Sequence, residues 1–172
     1  ATSAGGISLA EDADLIPANT ADQVVPAGGL GEFSAVNLEK KLAGQAVQIR
    51  PSIDELEEGL SGSASPKDAE TLFQLIHLTF TAPRPDPVVF GVIKTQLKTF
   101  LENRTQSPES VFSDTLRTTM QRDQPRFRPM TVDEIPRMSL DKSLAFYRDR
   151  FADASDFTFF FVGTIDLEKI EP

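Results

Sequence analysis

A chain of 172 residues, 40% of them hydrophobic, is long enough for one domain with a sizeable core and too short for two comfortable ones. Its 17 Lys and Arg against 26 Asp and Glu leave a net charge of -9, which works against a phosphate-backbone partner and so argues against nucleic acid. With no cysteine, disulfides, thiolate metal ligands and a cysteine nucleophile are excluded, while cytoplasm and periplasm both stay open.

The N-terminal ATSAGGISLAEDAD carries neither the basic nor the apolar region of a signal peptide, so the chain is expected to begin inside a larger protein. Residues 12 to 25 read as a helix interrupted near Pro17, and residues 34 to 43 (SAVNLEKKLA) as a short helix ended by Gly44. In QAVQIRPSIDELEEGLSGS, Val47 and Ile49 alternate, then Leu56 and Leu60, around a turn at Pro51-Ser52 and Asp54, which predicts an antiparallel hairpin. Three helix openings follow. Ser65-Pro66 precedes Leu72, Phe73, Ile76 and Phe80 and predicts a helix over 66–81; Asp86-Pro87 precedes Val89, Phe90, Ile93, Leu97 and Leu101; Ser107-Pro108 precedes Val111, Phe112, Leu116 and Met120. The short polar and proline-rich separators imply tight packing of these helices. A fourth helix over 140–151 would bury Leu144, Phe146, Tyr147 and Phe151. Finally DFTFFFVG is a continuous apolar run of strand length ending at a glycine, the pattern of a strand covered on both faces or lying centrally in a sheet. The longest apolar stretch, FTFFFV, is far below the roughly 20 residues a membrane-spanning helix needs, so no span is expected. The order predicts an α+β domain, an antiparallel or mixed sheet covered by helices.

Candidate chemistry is sparse. His77, the only histidine, sits one turn from Phe73 and Phe80 and reads as a residue bordering an apolar stripe, since a catalytic or metal-bound imidazole needs polar company. Gly28-Gly29-Leu30-Gly31 lacks the preceding strand and following lysine of a phosphate loop and reads as a turn. Asp54, Glu55, Glu57 and Glu58 alternate on a strand and read as a solvated edge rather than a metal cluster. Arg122, Arg126 and Arg128 around Phe127 read as a loop making local ion pairs, and Ser61, Ser63 and Ser65 as strand-end and capping residues without a catalytic base. The residues themselves give no catalytic, metal or cofactor-binding set.

Three strings, GLGEFSAVNLEKKLAG, EEGLSGSASPKDAETLFQLIHLTFTAPRPDPVVF and SLAFYRDRFADASDFTFFFVGTIDLE, together resemble the pitrilysin/insulinase family of zinc metalloendopeptidases, with the bacterial periplasmic type nearest. The resemblance implies a metallohydrolase-like unit of the pitrilysin/mitochondrial processing peptidase type, one of four homologous units in a larger chain. In the catalytic unit a His-x-x-Glu-His helix and a distant glutamate hold zinc. Counting from SAGGISLAEDAD, the motif would fall near Thr20-Ala21-Asp22-Gln23-Val24, where neither histidine is present, and the distal glutamate near Thr99 or Phe100, where there is none; Glu102 stands nearby without partners.

The resemblance therefore implies that residues 1–172 form a single truncated, inactive peptidase-like domain from the C-terminal half. It would hold no zinc itself, which belongs to the catalytic half of the parent, and would help enclose peptide substrate in a chamber. The family's arginine and tyrosine helpers belong to the next unit and are not assigned to Tyr147 or Arg148. Expected partners are other domains of the same chain and peptide substrate in the parent; self-association of the fragment through strand edges is expected too, and the location is periplasmic by resemblance alone. Two other readings compete: a structural relative like the core subunits of respiratory complexes, and a free-standing enzyme using His77 with a surface carboxylate.

Overall fold

A computed structural model describes residues 1–164. Ile165 to Pro172, the end of the third resembling string included, lie outside the described residues.

The helices form where their caps and spacing place them. The interrupted helix is two short ones, α1 (Leu15–Asn19) and α2 (Ala21–Val24), and the break falls at Thr20 rather than Pro17. Pro17 is the third residue of α1, where its missing N–H is one of the first-turn donors that lack a helical partner anyway. A two-residue ribbon, β2 (Gly29–Leu30) with β3 (Phe33–Ser34), leads into α3 (Ala35–Lys41), capped by the Ser34 hydroxyl. Further on come α4 (Ala69–Thr81), α5 (Pro87–Arg104), α6 (Pro108–Met120) and α7 (Leu140–Arg150). Asp86 accepts from the Val88 and Val89 amides, and Ser107 and Ser139 cap α6 and α7 in the same way.

The sheet is small and antiparallel. β1 (Thr2–Ala4), β4 (Val47–Ile53) and β5 (Glu57–Ala64) take the order β1-β5-β4. The hairpin forms as expected, but its turn lies at Asp54 to Leu56, and Pro51 is inside β4 opposite Leu60. A proline is tolerated there because β4 is an edge strand and the position missing its N–H faces away from β5. The displaced turn puts Leu56 in the loop, 68% exposed, and Glu58, on the same face as Leu60, is buried with it.

Two expectations fail. The run Phe157–Val162 is not a central strand: it touches β1 through one antiparallel bridge, Thr2 to Thr158, and Phe160 and Val162 are 71% and 99% exposed. Only its odd-numbered rings turn inward, where Phe157, Phe159 and Phe161 line up against Phe80 and Phe73 of α4. Nor is α6 tightly packed, since it has no buried residue and leaves Phe112 68% and Met120 74% exposed. The core instead lies between the sheet, α2, α5 and α7, around Val24, Ile53, Leu101, Tyr147, Phe151 and Phe157. Tyr147 stacks on Phe151 with centroids 4.6 Å apart, and Phe80 meets Phe151 edge-on.

Candidate functional site

The stretch Thr20 to Val24, where the resemblance would set a zinc-binding helix, is core. Ala21 and Val24 are buried against α7, Thr20 donates its hydroxyl to the Ile16 carbonyl, and Ser143 of α7 donates to the Pro17 carbonyl. Asp22 accepts from the Ile53 amide at 3.5 Å. Burial pushes its carboxyl above the usual range, an effect the Ile53 amide opposes and the nearby Asp54 charge reinforces. Burial, then the Asp22 charge, also raise the Tyr147 phenol well above its ordinary value. On α5, Thr99 bonds the Thr95 carbonyl, Phe100 is exposed, and Glu102 pairs with Lys98 at 3.8 Å. Among the described residues no group of three or more His, Cys, Asp or Glu could hold a metal ion.

The other candidates also resolve locally. His77 is exposed on α4, and what it supplies is its backbone carbonyl, to Thr81. Gly28 and Gly29 are placed by close backbone approach: a Cβ would lie 2.1 Å from the Arg84 carbonyl oxygen at Gly28 and 2.1 Å from the Phe33 carbonyl oxygen at Gly29. Ser61 donates to the Arg50 carbonyl, Ser63 accepts from Gln48, and Ser65 donates to Asp68 at 2.5 Å. Arg128 pairs with Asp123 across the loop. Arg126 reaches much further, to the Ala10 carbonyl and to Asp12 at 2.6 Å, tying the loop after α6 to the N-terminal segment.

These arginines wall an open groove of about 1010 Å³ that also takes in Leu97, Phe100, Arg104 and Arg117. Arg104 is held by Asp114, so two guanidiniums of the groove, Arg104 and Arg126, brace different elements, and Arg128 is paired within its own loop. One carboxylate departs from the expected solvated edge. Glu58 is 3% exposed, accepts the Gly6 amide at 2.5 Å and lies 4.0 Å from Arg150. Its strand phase with Leu60 was the available signal. A Cβ at Gly5 would meet both Arg150 and Glu58 within 3.0 Å, so the pair fixes the Gly5-Gly6 turn from above. This is a structural pin, not a reactive centre.

A small antiparallel sheet carrying a helical layer, with the segment order short helix, hairpin, three helices, fourth helix, is the architecture of pitrilysin-type units. In sequence the chain is similar to proteins named as probable zinc proteases, and in fold to solved proteases. No family model matches the chain. It is 25% identical over 150 residues to the probable zinc protease PqqL of Escherichia coli (strain K12), covering 87% of this chain and 16% of that protein. The probable zinc protease PqqL of Haemophilus influenzae is 24% identical over 177 residues, 99% of this chain and 18% of the relative. The chain thus spans less than a fifth of the curated relatives it matches. Among solved structures, the periplasmic protease PqqL from Escherichia coli superposes with a TM-score of 0.79 at 23% identity, over 98% of this chain and 19% of that one. The ferredoxin protease FusC, solved in complex with Arabidopsis ferredoxin, gives 0.70 at 20% identity, over 87% and 16%.

Proposed function

We propose that residues 1–172 are a non-catalytic unit of a larger zinc protease, one that helps wall a substrate-enclosing chamber and leaves the metal to another unit. The observation that carries this reading is the uncovered apolar face of α6: Val111, Phe112, Leu116 and Met120 are between 47% and 74% exposed, a patch of the kind that marks contact with further protein. Two facts support it. A single histidine cannot supply the two imidazoles of a His-x-x-Glu-His site, and the similarity to zinc proteases runs along most of this chain but less than a fifth of theirs. A periplasmic location belongs to the same proposal and rests on the periplasmic PqqL structure. No helix among the described residues is long and apolar enough to cross a membrane.

The test has two arms. Purified residues 1–172 are expected to contain no stoichiometric zinc by elemental analysis and to leave unstructured peptides uncut. Zinc bound one-to-one, with hydrolysis abolished by His77→Ala, would overturn the non-catalytic reading. In the full-length protein, Phe112→Asp with Met120→Asp is expected to lower kcat/KM several-fold at unchanged zinc content. Unchanged activity in that variant would remove the architectural role.

A further inference from the structure

The bridge between Thr2 and Thr158 sets the register of everything beyond it. Thr2 and Thr158 exchange both backbone bonds, at 3.1 and 2.9 Å, while Ala1 exchanges both with Leu60, at 2.7 and 2.9 Å. By the two-residue alternation of a ladder, Phe160 and Val162 turn their N–H and C=O groups toward β5, and Gly62 and Ala64 turn theirs toward Phe160 and Val162. β1 lies between these two edges only as far as Ala1. Beyond it the edges face each other across two strand spacings, about 9.6 Å, a slot one strand wide. Among the described residues nothing pairs with these four backbone positions across it.

The slot has two faces. Leu60, Gly62, Phe159 and Phe161 belong to the side on which α4 lies, with Phe73 5.3 Å from Phe161 and Leu72 under Gly62; Thr158, Phe160 and Val162 belong to the other. An occupant must run in the direction of β1, hence antiparallel to both neighbours. It must place small or apolar side chains at alternate positions and bring no charge.

We propose that the occupant is the Phe160 to Thr164 segment of a second copy of this chain, so that two copies merge their sheets around a two-fold axis. FFVGT is uncharged, rich in strand-forming residues and exposed, the composition of an edge that pairs with another chain. Its register is self-complementary. With Val162 opposite Val162 on the axis, Phe161 faces Gly163 and Phe160 faces Thr164, and every pair keeps its side chains on one face. The groups of Phe161 and Gly163 that point away from the partner segment then meet Ala64 and Gly62 of the other copy. The sheet runs β4-β5-segment-segment-β5-β4 without an unpaired strand, and the slot of each copy is complete only with the other's strand. This interface is separate from the α6 face and does not depend on the parent's catalysis.

Sedimentation equilibrium of residues 1–172, with backbone hydrogen exchange read at low and high concentration, tests it. Expected are a concentration-dependent dimer and slowing of exchange by about ten-fold or more at Gly62, Ala64 and Val162 on dimerisation. Val162→Pro removes the donor on the axis at a 99% exposed position, and is expected to give a monomer with the same circular dichroism and Tm. Phe160→Lys, which places like charges near the axis, is expected to act the same way. A monomer at all concentrations would overturn the proposal. So would a dimer that survives Val162→Pro, which points to the α6 face, or protection independent of concentration, which points to a strand supplied within one chain.

Discussion

Glu58→Ala separates a solvated strand edge from a buried pin. On a solvated edge the change would be worth within about 0.5 kcal/mol of nothing. In the fold it removes the acceptor of a 2.5 Å bond from the Gly6 amide, a bond to a charged group worth about 1.5–3 kcal/mol, and leaves that amide without a partner at about 1–3 kcal/mol more. It also takes away the Arg150 counter-charge. That loss is partial, because Arg150 is 15% exposed, keeps Asp149 at 2.5 Å and lies over the Phe146 ring. The lower part of the range for breaking a buried pair, about 3 kcal/mol, is therefore expected. For a chain of this length that lowers Tm by about 6–12 °C. Glu58→Gln keeps an acceptor for Gly6 and loses only charge, so its cost should be less than half as large. Thermal and urea unfolding followed by circular dichroism measure both. A Glu58→Ala protein within about 0.5 kcal/mol of the parent, or a Gln variant as damaged as the Ala one, would refute the assignment of this carboxylate to the Gly6 turn.

Asp22 carries a pH dependence of definite sign. Burial lifts its folded-state pKa above its ordinary value of 3.8, so the folded chain holds this proton more tightly, and the stability it lends is full below the unfolded value and lost as pH rises through the folded one. Asp22→Asn is accordingly expected to raise Tm at pH 7 and to lose that advantage near pH 3; a variant destabilised at pH 7 relative to pH 3 would contradict this. Asp86→Ala removes the side chain that accepts from Val88 at 2.9 Å and Val89 at 3.3 Å, and should cost about 1 kcal/mol by urea unfolding, with α5 amides at its first turn exchanging faster.

What was legible in the sequence is what short-range chemistry decides. Ser34, Asp86, Ser107 and Ser139 announce helix starts because their side chains satisfy amides two or three residues on, whatever the rest of the fold does. The hairpin was legible from alternation, yet its turn was not, because Pro51 resembles a turn residue and only an edge strand lets it sit inside a ladder. Glu58 shares the face of Leu60 in either register, and what the alternation could not show is that Gly6 and Arg150 cover it. The location of the would-be zinc motif at Thr20 to Val24 could be read as lacking ligands, whereas its role as the buried seam against α7 depends on contacts with Ser143 and Tyr147 more than 120 positions away.

The two segments misjudged, Phe157–Val162 and α6, share a cause. An apolar run or stripe tells that a surface will be removed from water, but not that the covering surface lies within the same 172 residues. In α4 and α7 the cover is internal, and the expected residues are buried or partly so; in α6 and at Phe160 and Val162 the described residues do not supply it, and large side chains are exposed. A free-standing domain of this size has ample freedom to bury four aliphatic and aromatic residues of one helix. Their exposure supports the proposal that this sequence is matched to neighbours as well as to its own core. The exposed residues are thus the informative ones for function, and the perturbations of greatest consequence for a parent protein are expected at Phe112 and Met120 rather than at His77.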